Sequence, residues 1–128
     1  MKVIEVVAAV VVGPDGRSLL VRKEGTDAFM NPGGKPEAGE SSTETLRREL
    51  AEELGLDVGL DRMEPLGTFT SAAANEPDHE VRAVAFRVVL ETPDHRVGAE
   101  IAESRWVDPG APGDDVAPLA AEHLLALA

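Results

Sequence analysis

Gly34-Lys35-Pro36-Glu37-Ala38-Gly39-Glu40-Ser41-Ser42-Thr43-Glu44-Thr45-Leu46-Arg47-Arg48-Glu49-Leu50-Ala51-Glu52-Glu53-Leu54-Gly55-Leu56 changes character at its middle. The first half is rich in Gly and Pro, as a loop must be if its backbone is to come close to another group. The second half predicts a helix over 42–54. Ser41 is the N-cap with Glu44 three residues on as a capping box, and Gly55 takes the left-handed position after the last turn, followed by apolar Leu56. At 100° per residue Leu46, Leu50 and Leu54 form one stripe, and Glu49, Glu52 and Glu53 form a neighbouring one at the edge of the buried face. Taken alone, an acidic helix face reads as solvated surface. Carboxylates three and four residues apart repel, however, and partial burial raises the cost, so such a cluster needs protonation or a cation. Hard oxygens suit Mg²⁺ or Mn²⁺. Arg48 stands four residues from both Glu44 and Glu52, placed to hold a carboxylate in one rotamer.

Outward from this segment the chain reads as one unit, residues 1–128, with no repeat and no linker. Upstream, Val- and Leu-rich runs at 2–12 and 18–23 flank Gly13-Pro14-Asp15-Gly16, a hairpin signature. The opening apolar stretch is broken by Glu5 and closed by a turn, so it reads as a strand and not as a signal peptide. Downstream, 66–70, 81–90 and 101–107 read as strands, the middle one apolar enough on both faces to be internal to a sheet. Residues 117–127, opened by Asp114 and Asp115, read as a closing helix. Strands, helix, strands and helix predict an α/β (α+β) fold, a mixed sheet with helices packed on its faces.

Composition narrows the function. With 43% hydrophobic residues and no apolar run of membrane-spanning length, the chain is expected to be soluble, and the lack of cysteine makes a cytoplasmic location the default. A net charge of −12, with 24 acidic residues, argues against a nucleic-acid polymer as partner. If the substrate is still a phosphate compound, positive charge must come from elsewhere, and a divalent cation is the obvious source. His79, His95 and His123 have no metal-ligand spacing among themselves and read as structural or exposed.

Gly34, five residues to Glu40, seven to Arg48-Glu49-Leu50-x-Glu52-Glu53-x-Gly55-Leu56 matches the Nudix box in full, and the chain resembles the Nudix hydrolase family on that ground. Seven fixed identities arise by chance at roughly 10⁻⁸ per start, at about one in fifteen per residue. Phe29-Met30-Asn31-Pro32-Gly33-Gly34-Lys35 resembles the family's approach to the box. Glu100-x-x-Glu103-x-x-Trp106 resembles a strand of its second half. The resemblance implies an α/β/α sandwich and a Mg²⁺-dependent (or Mn²⁺-dependent) enzyme. Its metal would be held by Glu49, Glu52, Glu53, the carbonyl of Gly34 and, from outside the box, Glu100, with Glu76 and Glu80 behind it. Glu53, Glu49 or Glu100 would act as base, Arg48 would support catalysis, and Glu40 and Gly55 would be structural.

Several further residues are candidates for substrate contact. Arg22, Lys23 and Lys35 are cations that can meet phosphate or stay solvated. Phe29 and Trp106 can stack a base or fill the core. Asn31 stands where most members have an aliphatic residue and is placed among the substrate-binding positions. The expected partner is a small nucleotide, with no polymer and no membrane, and the protein a monomer or homodimer. The chain has no tyrosine, the mark of dinucleoside polyphosphate members. It has no proline across 66–74, where ADP-ribose members carry one. By elimination the expected substrate is a nucleoside triphosphate, oxidised or not, cleaved to monophosphate and pyrophosphate. The alternatives are ADP-ribose or a nucleotide sugar, and a nucleotide-binding module without activity.

Overall fold

The computed structural model describes every residue except Asn75 and Ala99. Six strands, β1 (Lys2–Val12), β2 (Ser18–Lys23), β3 (Gly33–Gly34), β4 (Glu64–Ala72), β5 (His79–Val89) and β6 (Ile101–Val107), form one sheet, and α1 (Ser42–Leu54) is its regular helix. The order is β4-β5-β1-β2-β6. Only β1 and β5 run parallel; β2, β3, β4 and β6 pair with their neighbours antiparallel. This is the mixed sheet the sequence predicts, with β5 internal.

β1 is forked. Its middle pairs with the glycines of β3, Val7 opposite Gly34 and Ala8 opposite Gly33. Its end pairs with β2 across the tight turn, Val11 opposite Leu19. Between the two ladders, the Ala9 N–H donates to the Pro32 carbonyl at 2.8 Å and the Ala9 carbonyl accepts from Asn31 Nδ2 at 3.2 Å. A side-chain amide thus completes the backbone pairing where β1 exchanges partners.

Alternation along β1 divides the core. Val7, Ala9 and Val11 face Leu46, Leu50 and Leu54 of α1, together with Leu19, Val21 and Val88. Ala8, Val10 and Val12 face the other way, onto Leu124 and its half-buried neighbours Leu119 and Leu127. Helical layers therefore cover both faces of the sheet. The closing segment begins at Pro118 and is not the regular helix expected over 117–127. Its turns over Ala120–Leu124 are of the wide π type, with Leu125 N–H bonded to the Ala120 carbonyl, and they tighten to 3₁₀ over Leu125–Leu127. The wide turn buries Leu124 against β1 and β5, and its neighbour Leu125 in a separate cluster with Leu20, Phe29 and Val107.

Candidate active site

α1 carries the acidic residues, and its ends are fixed as the sequence predicts. Ser41 Oγ accepts from Glu44 N–H at 3.2 Å, and the Glu44 carboxylate accepts from Ser41 N–H at 2.9 Å. Gly55 has φ 64°. At the C-terminal end, Arg96 N–H donates to the Leu54 carbonyl at 2.8 Å and Gly98 N–H to the Glu53 carbonyl at 2.9 Å. A Cβ on Gly98 would overlap the Glu52 carbonyl oxygen, so this approach requires glycine. The chain then enters β6 through Glu100, which has φ 72° and whose carbonyl accepts from Glu24 N–H at 2.9 Å.

Three of the predicted carboxylates take different positions. Glu53 is 5% exposed, and its Oε1 accepts from Gly33 N–H at 3.0 Å. Glu49 is partly buried against β3: a Cβ on Gly34 would come within 2.5 Å of its carboxylate carbon, so the glycine makes room for the acid. Glu52 lies at the rim, exposed, 3.5 Å from Arg48 Nη1. Among the described residues, no three acidic or histidine side chains already enclose one point. Glu49 and Glu53 are brought to the glycines, Glu52 stands exposed beside Arg48, and Glu100 is exposed and tied to Glu24 through its backbone.

Arg48 organises this edge. Its Nε donates to Glu40 Oε2 at 2.8 Å, its Nη1 to Glu49 Oε1 at 2.8 Å and its Nη2 to the Lys35 carbonyl at 3.2 Å. It does not reach Glu44, whose carboxylate is spent on the cap. Glu40 also accepts from Glu37 N–H and Thr45 Oγ1. The guanidinium and these donors hold its carboxyl well below the usual range, at about 2.

The helix acids shift the opposite way. Burial pushes Glu53 up to about 7, against the Gly33 N–H that favours its charged form, and the charge of Glu49 adds to the rise. Burial raises Glu49 too, more than Arg48 lowers it. Two hard carboxylates, both raised by burial, beside a glycine backbone are a donor set that fits a divalent cation.

The cations separate. Arg22 is drawn away from the acids, its Nε to Glu103 at 3.0 Å and its Nη1 to the Thr26 carbonyl at 2.7 Å. Lys23, beyond an irregularity in the β2–β6 register, lowers both Glu49 and Glu53 by its charge, after Arg48 in the case of Glu49. The sequence offered no means of ranking the two. Lys35 is exposed in the loop before α1.

A cleft opens beside β3. Lys23, Gly33 and Gly34 line it, and Ala8, Ala72 and Ala120 are among the small residues of its walls. Those alanines carry no motif and were not foreseen. Asn31 lines the cleft and is 8% exposed. Phe29 does not: it is 1% exposed in the core beneath the Arg105 guanidinium, 3.7 Å from the ring centroid, so it cannot stack a base. Trp106 packs against Gly13 and edge-on to His95, away from the cleft. Glu76 lies in the turn between β4 and β5, near His79. Glu80 stands opposite Ala72 at the β4–β5 end. The histidines are structural: His95 bonds Ser104 Oγ at 2.8 Å and His123 the Thr70 carbonyl at 3.1 Å.

Comparison with known proteins agrees with this fold. The chain matches the NUDIX domain over residues 2–127. It is 48% identical over 50 residues to an RNA pyrophosphohydrolase of Halorhodospira halophila, a match spanning 39% of this chain and only 28% of that relative. The solution structure of the E. coli ORF135 protein superposes with TM-score 0.73 at 30% identity, covering 98% of this chain and 88% of the other. The crystal structure of a MutT NUDIX hydrolase from Burkholderia pseudomallei superposes with TM-score 0.79 at 21% identity over 98% of both chains. Box, fold and full-length match converge: the chain belongs to the Nudix family.

Proposed function

We propose that the protein is a Mg²⁺-dependent pyrophosphohydrolase that cleaves a nucleoside triphosphate to monophosphate and pyrophosphate. The observation that carries this reading is the pair Glu49 and Glu53, partly withdrawn from water against Gly33–Gly34, the glycines that line an apolar cleft. Glu49, Glu53 and Glu52 would hold the metal. When bound, a divalent cation supplies a Lewis acid that neutralises charge on the anhydride oxygens and makes water more acidic.

The protein's own groups supply the rest. Lys23, which lines the cleft, faces the phosphates, and the alanine walls receive the nucleoside. Glu53, nearly buried and held by the Gly33 N–H, is the base that accepts the proton of the attacking water. Displacement is in line, with the other phosphate leaving. Arg48 touches no reacting atom in this scheme and orients Glu49.

The test is steady-state turnover with Mg²⁺ of nucleoside triphosphates, oxidised triphosphates, ADP-ribose and nucleotide sugars. A kcat/KM for ADP-ribose or a nucleotide sugar ten-fold above every triphosphate, about 1.4 kcal/mol in transition-state binding, reassigns the substrate and leaves the chemistry. Absence of turnover with all of them makes the protein a binding module.

A further inference from the structure

Glu52 and Glu53 sit at the electrostatically unfavourable end of their helix. They occupy the last turn of α1, where the helix dipole presents its negative pole, and that turn carries no basic residue. Arg48 gives little relief there: its shorter bonds go to Glu40 and Glu49, and it stands 3.5 Å from Glu52. Like charges at a negative pole favour fraying, and a frayed turn would scatter the two carboxylates.

The last four carbonyls of a helix have no partner within it, so the groups that take them decide whether the turn holds. The Ala51 carbonyl accepts from Gly55 N–H at 3.0 Å. The other three, of Glu52, Glu53 and Leu54, all meet one short segment between β5 and β6. Arg96 N–H takes the Leu54 carbonyl and Gly98 N–H the Glu53 carbonyl. A Cβ on Gly98 would fall on the Glu52 carbonyl oxygen, so the hydrogen in its place points at that oxygen. The segment is itself pinned to the sheet. The ring nitrogens of His95 bond Ser104 Oγ of β6 at 2.8 Å and the Pro93 carbonyl at 2.9 Å, and the ring meets Trp106 edge-on.

We propose that Gly98 is a positioning residue: with Arg96 it clamps the last turn of α1 to β6, and so holds Glu52 and Glu53 where together they take a divalent cation. The inference rests on the reading of the helix acids as the metal site. Only glycine fits, because an added methyl group and the carbonyl oxygen would claim the same space. A clamped turn is ordered before the metal arrives; a frayed one must be ordered at that moment, which weakens binding.

Two measurements on the full chain test this. Amide hydrogen exchange, read by NMR in chelating buffer, compares Leu54 and Gly55 at the end of α1 with Leu46 and Leu50 before them, and calorimetry gives the Mg²⁺ dissociation constant. In Gly98→Ala the exchange of Leu54 and Gly55 should quicken about ten-fold with Leu46 and Leu50 near parental. Mg²⁺ should bind about ten-fold more weakly. Should that variant not fold, His95→Ala loosens the same segment without crowding the helix, and should move both readings the same way by several-fold. Parental exchange, or a Mg²⁺ dissociation constant within about two-fold of parental, overturns the clamp. So does a quickening spread evenly along α1, the mark of a general loss of stability. A parent chain that binds no Mg²⁺ sinks the proposed metal site and this inference with it; a parent that binds Mg²⁺ no more tightly than the variant sinks the inference alone.

Discussion

Glu53 shows how one side chain joins stability to chemistry. It is a carboxyl with one backbone donor, in a place where water does not compensate its charge. Glu53→Gln keeps the shape and removes the proposed base, so kcat should fall by about 10²–10⁴-fold while circular dichroism stays parental; near-parental kcat at saturating Mg²⁺ would place the base elsewhere. The same residue predicts a pH effect in metal-free buffer. Its folded pKa, about 7, lies above the ordinary 4.5, so between these values the folded protein keeps a proton that the unfolded chain has released. Its contribution is fully present below pH 4.5 and is lost as pH rises through 7, on the order of 3 kcal/mol. Tm in a chelating buffer should therefore fall from pH 5 to pH 8, and in Glu53→Gln it should fall less. Glu40 has the opposite sign: its lowered pKa gives stability above 4.5 that is lost as pH falls through about 2. The identities of both acids were legible in the sequence because the box fixes their spacing. Their opposite shifts were not, since these depend on which carboxylate Arg48 reaches across eight residues and which one meets Gly33.

Among the elements, α1 was legible to the residue and the closing segment was not. The signals of α1 are local: a cap, a capping box and a terminal glycine, all within the reach of one helical turn. The closing segment has leucines at helical spacing, but its turns widen where Leu124 and Leu125 enter separate parts of the core, a tertiary demand that no local pattern records. Asn31 is a similar case. It departs from the family's aliphatic preference, and the structure shows why an amide is tolerated: the fork in β1 exposes a carbonyl that needs a donor. The short strand β3 carries its own prediction. Gly34→Ala inserts a methyl group against the Glu49 carboxylate, and displacement of a catalytic group by about 1 Å can cost on the order of 10²-fold in rate. The expected result is a large loss of kcat/KM with a cooperative melt retained, and a parental kcat/KM would show that Glu49 has room to spare.

On the scale of the whole molecule, charge is the governing quantity. A chain of net charge −12 that buries two acids side by side should be stabilised by any divalent cation that binds only the folded form. Mg²⁺ at a hundred times its dissociation constant adds about 2.7 kcal/mol, so Tm should rise with millimolar Mg²⁺ and saturate. An equal rise in Glu52→Gln/Glu53→Gln would locate the ion at another site. Class was legible because the Val- and Leu-rich runs mark strands and the leucine stripe of α1 names a buried helix face. Strand order was not, because pairing between β1 and β5 joins residues 77 apart, such as Glu5 and Arg82.

That parallel pairing also has a temporal side. During synthesis, β1 and β2 emerge early and can close their hairpin at once, but the other edge of β1 has no partner until most of the chain has been made. For that interval Val6 to Val12 is an unpaired strand edge with an apolar face, the condition under which nascent chains aggregate or recruit chaperones. Local contacts form within microseconds, whereas closure of so long a loop delays the central ladder. The strand that supports the candidate active site is thus synthesised before the rest of its sheet and among the last to be fully paired.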